Sequence, residues 1–128
     1  QRPVAHQPTG LALMASAEAR QPAVLVGHGS FNPVHRHHIE MMCKARSRLE
    51  EAGYEVVRGI FAITNSSWIR RKGVDAVTDE HRIAALRLAS EPTGWLQADP
   101  RGVNYSSSTG MINKLLWYEL AEQFPDVV

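Results

Sequence analysis

Apolar and polar residues alternate along the chain in the manner of short strands separated by amphipathic helices. Residues 23–26 are four consecutive apolar residues, which predict a strand buried on both faces. Residues 36–52 predict a helix, because apolar residues recur there at helical spacing and Gly53 follows as a C-terminal stop. The apolar stripe of this helix consists of Ile39, Met42, Leu49 and Ala52.

The same alternation continues through the rest of the chain. The further predicted elements are a strand at 55–63, a polar and basic loop at 65–76, a helix at 79–90 begun by Thr78 or Asp79, a short strand at 95–98, and a helix at 111–124. Strands separated by helices indicate an α/β fold in which the strands are parallel and joined by right-handed crossovers.

The first 22 residues differ from the remainder. Gln, Pro, Ala and Thr dominate them, apolar periodicity is absent, and the sequence does not begin with Met. We expect residues 1–22 to form a flexible N-terminal arm and residues 23–128 to form one domain. A trimmed organellar presequence is an alternative, because the segment contains Arg2, Arg20 and only one acid, Glu18. That alternative would place the protein in mitochondria.

Composition narrows the class of protein. A chain of 128 residues with 44% hydrophobic and 21% charged residues is typical of an ordinary globular domain. A net charge of +1 does not provide the dense basic face that nonspecific nucleic-acid binding requires. The one cysteine, Cys43, excludes an internal disulfide and fits an intracellular setting. No apolar stretch approaches the length of a membrane span.

The strongest candidate for chemistry is a glycine-rich loop between the first strand and the first helix. Residues 27–33 read Gly-His-Gly-Ser-Phe-Asn-Pro, and the helix that follows carries His35 and His38. Backbone N–H groups of such a turn, together with the positive end of a helix dipole, form an anion site. His35 and His38 are three residues apart and therefore face the same way. The pattern predicts a site for nucleotide phosphates.

These residues resemble the first motif of the nucleotidylyltransferase superfamily. The resemblance is closest to the N-terminal half of eukaryotic-type nicotinamide/nicotinate mononucleotide adenylyltransferases, which have Gly-Ser-Phe-Asn-Pro, then His or Thr, two residues, and His. It continues through the second strand, Asn65, the basic run 70–72, His81-Arg82 and the segment 95–100. About residues 23 to 116 can be aligned with the family in order.

The resemblance implies a Rossmann-like, doubly wound parallel sheet in three α/β/α layers, with strand order 3-2-1-4-5. It also implies transfer of the adenylyl group of ATP to nicotinamide mononucleotide with Mg²⁺, which gives NAD and pyrophosphate. His35 and His38 are then the catalytic residues. The residues expected to bind ATP are Gly27, Gly29, Ser30, Phe31 and Asn32, and those expected to bind the mononucleotide are Asn65, Arg70, Arg71 and Lys72.

Each of these residues has a structural alternative. In the functional interpretation the attacking phosphate is already ionised at neutral pH, so His35 and His38 act by positioning and electrostatics. In the alternative interpretation they are ancestral residues that no longer contact ATP. Arg70, Arg71 and Lys72 would otherwise form a solvated loop. Trp68 lies beside them in the predicted loop, and we expect so large an aromatic side chain to contact a ligand ring or a protein surface. We expect no metal site, since His37 diverges from its neighbours.

Three departures from the family pattern bear on activity. Arg101 and Gly102 occupy the positions of a Trp-Glu pair that packs the nicotinamide ring, and Ser66 replaces an Asp. The family's second ATP motif, Ile-Ser-Ser-Thr-x-x-Arg, has no counterpart, because no Arg follows three residues after Thr109. The sequence therefore predicts a sheet truncated after the third helix.

Two functions are consistent with this sequence. The chain is either an adenylyltransferase module with impaired or lost independent activity, or a catalytically inactive accessory subunit of a larger assembly. In both cases we expect another polypeptide to cover the edge of the first strand, because an unpaired apolar edge invites pairing.

Overall fold

The computed structural model describes residues 20–104, 114 and 120–126. The elements in chain order are β1 (Gln21–Gly29), α1 (Arg36–Glu51), β2 (Tyr54–Ile63), α2 (Ser66–Arg71), α3 (Asp79–Ser90), a 3₁₀ turn (Glu91–Thr93), β3 (Leu96–Asp99), a second 3₁₀ turn (Pro100–Asn104) and α4 (Ala121–Gln123). The predicted α/β class is confirmed. Most of the predicted helix 111–124 and of the predicted arm 1–22 lies outside the described residues.

The three strands form one parallel sheet in the order β1-β2-β3. β1 is aligned with β2 from Gln21 opposite Tyr54 to Gly29 opposite Ile63. The register shifts between Ala23 and Val24, which pair with Val56 and Arg58 and leave Val57 as the extra residue. This arrangement agrees with the 3-2-1 half of the expected sheet.

Hydrophobic side chains cover both faces of the sheet. On one face α1 and α3 contribute to the larger cluster, whose buried members are Phe31, Met42, Val56, Phe61, Ile63, Leu86, Trp95 and Leu96. On the other face Ile60 and Ala62 pack with Leu120, and Val24, Val26 and Phe124 lie around them. Residues of β2 therefore form the centre of the core, with Ile60, Phe61 and Ile63 fully buried.

Two glycines allow close approach within this core. A Cβ on Gly59 would lie 2.5 Å from Leu96 Cδ2, and a Cβ on Gly27 would lie 2.9 Å from Met42 Sδ. These separations are shorter than van der Waals contact, so any side chain at either position would displace its neighbours. Gly27 thus lets α1 pack directly on the end of β1.

The region predicted to be a basic loop contains a short helix. α2 begins after Asn65, whose Oδ1 accepts a hydrogen bond from the backbone N–H of Trp68 at 3.2 Å. Only Ser66 and Ile69 of this helix are buried. The prediction was wrong here because six residues with one buried apolar side chain give no periodic signal.

The side chain of Arg82 links the ends of three elements. The residue has no exposed surface. Its guanidinium donates hydrogen bonds to the carbonyl oxygens of Ser30 at 2.6 Å, Thr64 at 2.7 Å and Val77 at 3.2 Å. It also donates to Asp79 Oδ1 at 2.6 Å, which neutralises the buried charge. Arg82 therefore fixes the ends of β1 and β2 against the start of α3.

None of the helices in the described ranges is both long and apolar enough to cross a membrane.

We expect Arg82→Met to lower the free energy of unfolding by at least about 3 kcal/mol, because three carbonyl groups and a carboxylate would lose their buried donor. Arg82→Lys keeps the charge but cannot reach several acceptors in one plane, so it should not restore stability. Arg87→Met, on the exposed face of the same helix, is the control and should stay within about 0.5 kcal/mol of wild type. Urea unfolding measures all three variants. Equal stability of Arg82→Met and Arg87→Met would contradict the linking role.

Candidate functional site

The candidate site lies where β1 and β2 end side by side. The backbone N–H of Thr64, which follows β2, donates to the carbonyl oxygen of Gly29 at 3.1 Å. The Thr64 hydroxyl lies 3.5 Å from that of Ser30. In open parallel sheets, ligands bind in the crevice beyond the carboxyl ends of the strands. The glycine loop of residues 27–33 is at this edge.

The glycine loop is shaped by Phe31. This residue has a φ of 46°, an uncommon left-handed conformation for a bulky side chain, and it is buried. Its ring lies under Gly29, makes an edge contact with Phe61 at 5.1 Å between centroids, and makes another with His38 at 5.0 Å. Burial of the Phe31 ring stabilises the turn and offsets the unfavourable positive φ of this residue. Phe31 thus supports the loop from the core.

His35 and His38 lie together at the start of α1. Their ring centroids are 3.8 Å apart, and the planes are tilted by 31°. The backbone N–H of His35 donates to Nδ1 of His38 at 3.0 Å. Because Nδ1 is the acceptor, the proton of the neutral His38 ring lies on Nε2. His38 can therefore donate one hydrogen bond from Nε2 to a ligand while its ring orientation is fixed.

The protonation state of His38 follows from its surroundings. Partial burial, followed by the nearby rings of His35 and His37, lowers the pKa of His38 from its ordinary value. The neutral donor is therefore favoured near pH 7. A bound anion beside the ring would have the opposite effect and raise this pKa.

The starts of α1 and α3 have opposite electrostatic character. α3 begins with Asp79 and Glu80, and the side chain of Thr78 caps it, which is the arrangement a helix dipole favours. α1 has no acidic residue in its first turn and begins with Arg36 after His35. Positive charge at a helix N-terminus is unfavourable for stability unless an anion is present. The residues at the start of α1 therefore suit an anionic ligand.

The side chain of Asn32, which was predicted to bind ATP, forms hydrogen bonds with a distant segment of the chain. Its Nδ2 donates to the carbonyl oxygen of Asp75 at 2.7 Å, and its Oδ1 accepts from the backbone N–H of Val77 at 2.8 Å. Asn32 joins the glycine loop to the segment that precedes α3. Neither this link nor the Arg82 link could be predicted from the sequence, because neither produces a local signal.

The residues predicted to bind a mononucleotide all lie on or beside α2. Asn65 caps the helix, and Arg70, Arg71 and Lys72 are exposed at its end. Lys72 Nζ lies 5.7 Å from the centre of the Trp68 ring. Partial burial, and then the positive charge of Lys72, lower the pKa of His28. β2 ends at Ile63 and α2 begins at Ser66, so α2 and Lys72 at its end follow the same edge of the sheet at which the glycine loop and the start of α1 lie.

Arg101 and Gly102, the departures from the family pattern, lie in the 3₁₀ turn after β3. The Arg101 guanidinium donates to both carboxylate oxygens of buried Asp99, with Nε at 2.9 and 3.0 Å and Nη2 at 2.5 Å. Such a bidentate pair holds the side chain in one geometry. Arg101 is thus folded back onto the end of β3.

Within the described part of the chain, no group of three or more His, Cys, Asp or Glu side chains could hold a metal ion. Cys43 is exposed on α1.

Comparison with known proteins gives a consistent result. A family model described as cytidylyltransferase-like matches residues 26–123. Nicotinamide/nicotinic acid mononucleotide adenylyltransferase 2 of Rattus norvegicus is 33% identical over 78 residues, which cover 60% of this chain and 24% of the relative. The corresponding adenylyltransferase of Oryza sativa subsp. japonica is 35% identical over 80 residues, 62% of this chain and 31% of the relative. The chain thus spans about a quarter to a third of the length of these relatives.

We expect His38→Ala to lower the free energy of unfolding at pH 7.5 by about 1 kcal/mol, because the His35 N–H loses its acceptor. The pKa of His38 is lower in the folded protein, so the unfolded chain binds the proton more readily. The contribution of His38 to the free energy of unfolding is therefore fully present above about pH 6.5, the ordinary pKa of histidine. It decreases as the pH falls toward the lower pKa of the folded state. Wild type should therefore lose more stability than His38→Ala between pH 7.5 and 5.5.

Urea unfolding at several pH values measures this difference. His37→Ala is the matched control, because His37 is exposed on the same turn and is the smallest of the three causes that lower the pKa of His38, so most of the wild-type pH dependence should remain. Parallel pH profiles for wild type and His38→Ala would contradict the assignment.

Proposed function

We propose that this chain, which belongs to the cytidylyltransferase-like family, binds the phosphates of ATP at the glycine loop and the start of α1. The observation that carries the proposal is the start of α1, where the Nε2 donor of His38 and the charge of Arg36 accompany an acid-free first turn. This arrangement costs stability without an anion and is favourable with one. A triphosphate supplies the negative charge that is absent from the first turn of α1.

The reaction that fits this arrangement is adenylyl transfer. A phosphate oxygen of the acceptor attacks the α-phosphorus of ATP, the bond from that phosphorus to the bridging oxygen of pyrophosphate breaks, and pyrophosphate leaves with the bonding electron pair. No proton has to be removed from the attacking oxygen. His38 donates a hydrogen bond to a phosphate oxygen from Nε2, and His35 keeps the ring of His38 in place.

Magnesium, where present, would enter with the triphosphate and neutralise part of its charge. The described residues do not provide carboxylate ligands for it as a group, since Asp79 is engaged by Arg82 and by the backbone N–H of Ser66. The described residues therefore fit the phosphates and do not form a metal site of their own.

The acceptor in this proposal is a mononucleotide phosphate that meets Lys72, Arg70 and Arg71, with Asn65 at the start of the same helix. The names of the relatives suggest nicotinamide or nicotinic acid mononucleotide as the acceptor. Lys72 supports an acceptor that carries a phosphate, because it is an exposed cation at the end of α2, and α2 follows the carboxyl end of β2. Arg101 opposes efficient use of that acceptor, since its side chain is held on Asp99 and offers no aromatic face. We therefore propose weak or lost independent activity with nicotinamide mononucleotide.

An accessory role is the second candidate, and the edge of the sheet favours it. β1 pairs only with β2 among the described strands, so its other edge is available there for pairing. Residues 23–26 of the strand are all apolar, and neither Lys nor Pro, which would discourage pairing, occurs among them. We propose that another polypeptide covers this edge in the working assembly.

The first experiment is a calorimetric titration of the chain with ATP, with and without Mg²⁺. We expect His38→Ala to weaken binding about 10-fold or more, the value of a hydrogen bond to a charged group. His37→Ala is the control and should bind ATP as wild type does. Nicotinamide mononucleotide should bind much more weakly than ATP, and NAD formation by the chain alone should be slow. Absence of ATP binding by the folded wild-type chain would refute the proposed function, and rapid NAD formation would refute the proposed loss of activity.

Hydrogen exchange tests the covered edge. In the isolated chain we expect those amides of residues 24–26 that point away from β2 to exchange quickly, because an unpaired edge amide is open to water. The amides of Ile60 to Ala62 in the central strand should be protected and serve as the internal control. A chain that stays monomeric at micromolar concentration with all amides of residues 24–26 well protected would contradict the need for a partner.

A further inference from the structure

The segment between α2 and α3, residues 72–78, has little hydrophobic anchoring of its own. Val74 and Val77 are exposed, at 53% and 38% of their surface, and Gly73 adopts a φ of 77°. α2 itself is six residues long, and a helix of that length is unstable without tertiary contacts. The position of Lys72, at the junction of α2 and this segment, therefore depends on what holds the two together.

The helix is attached at its start and in its middle. The backbone N–H of Ser66 donates to Asp79 Oδ1 at 2.8 Å, and Ile69 is buried with 3% of its surface exposed. After Lys72, the next hydrogen bonds that attach the segment to the body of the protein are those of Asn32 to Asp75 and Val77, together with the bond from Arg82 to the Val77 carbonyl. Asn32 thus provides two of these attachments.

Both bonds of Asn32 come from the glycine loop. The two distances, 2.7 and 2.8 Å, are those of well-formed hydrogen bonds, and they bridge 43 and 45 residues of sequence. A side-chain amide that donates and accepts at once holds a backbone segment in one register. The glycine loop and the segment 72–78 are therefore connected directly.

We propose that Asn32 is a positioning residue, which fixes residues 72–78 against the glycine loop and thereby holds the Lys72 ammonium beside the end of β1, where the phosphate of the acceptor has to approach. Asn32 acts through Lys72 and touches no reacting atom. The second part of this statement rests on the proposed function, because the phosphates are those of adenylyl transfer.

The chain contains a natural reporter of the position of Lys72. The positive charge of Lys72 contributes to the lowered pKa of His28, so His28 responds to the distance of that charge. A change that only lowers global stability does not alter this pKa as long as the protein is folded. Titration of His28 by NMR therefore separates positioning from stability, and it requires no ligand.

The experiment compares the His28 pKa in wild type, Lys72→Met, Asn32→Ala and the double variant. Lys72→Met removes the charge and should raise the pKa of His28. Asn32→Ala should raise it in the same direction, because the segment is released and Lys72 moves away. The double variant should show no further increase beyond Lys72→Met, since both changes act through one charge. Arg71→Met, one residue earlier on the same exposed helix end, is the control and should leave the pKa unchanged.

Asn32→Leu provides a second variant that keeps the size of the side chain and adds no charge. It loses both the donor to the Asp75 carbonyl and the acceptor for the Val77 N–H. It should raise the His28 pKa even if Asn32→Ala fails to fold. The proposal is overturned if Lys72→Met raises the pKa of His28 and neither Asn32 variant does. It is also overturned if Lys72→Met leaves that pKa unchanged, because Lys72 would then not lie beside β1.

A second arm uses calorimetry with nicotinamide mononucleotide at high concentration, because Lys72 is assigned to the phosphate of the acceptor. Lys72→Met and Asn32→Ala should each weaken binding several-fold, and the double variant should bind no more weakly than Lys72→Met alone. If the double variant instead binds more weakly than either single variant, Asn32 acts independently of Lys72 and the proposal is overturned. If wild type does not bind the mononucleotide, the proposed acceptor fails, and the titration of His28 still decides whether Asn32 positions Lys72.

Discussion

The buried guanidinium of Arg82 is the interaction on which the rest of the structure depends. Two parallel strands that end side by side leave carbonyl groups at their ends that the sheet does not pair, and buried carbonyl groups need donors. Arg82 supplies donors to Ser30, Thr64 and Val77 from one planar group, and Asp79 balances its charge. A hydrophobic residue could fill the same volume but could not satisfy these groups. The conformation of the glycine loop is therefore fixed by a residue 52 positions later in the sequence.

The N-termini of the two long helices, α1 and α3, differ in their contribution to stability. α3 begins with a capping Thr78 and two acids, so its N-terminus stabilises the fold. α1 begins with stacked histidines and an arginine, and its N-terminus costs stability unless an anion is bound. The core compensates for this cost, because Phe31 and Met42 anchor the loop and the helix in the main cluster. The strained, basic element lies at the sheet edge where ligands of parallel sheets bind.

The parts of the fold that repeat a local pattern could be predicted. The helix at 79–90 was placed at its observed bounds, because its cap and its apolar spacing are both local. The strand predicted at 55–63 was confirmed as β2, with one more residue at its start. α2 was missed, since its stability comes from Asn65, Ile69 and the bond to Asp79 rather than from periodicity. The same limit applies to Asn32, whose type suited a ligand-binding loop while its hydrogen bonds hold a distant segment.

The sequence by itself determined the α/β class, the parallel sheet, and the family to which the glycine loop and the two histidines point. These features depend on the period of apolar residues and on a short contiguous motif, so they can be recognised from residues that are close together in the sequence. Only the tertiary structure decided that Arg82 joins the Ser30 carbonyl to the start of α3 and that Asn32 links the glycine loop to residues 72–78. Hydrogen bonds and charges between segments more than 40 residues apart have no periodic trace in sequence, because they depend on where the chain returns after folding.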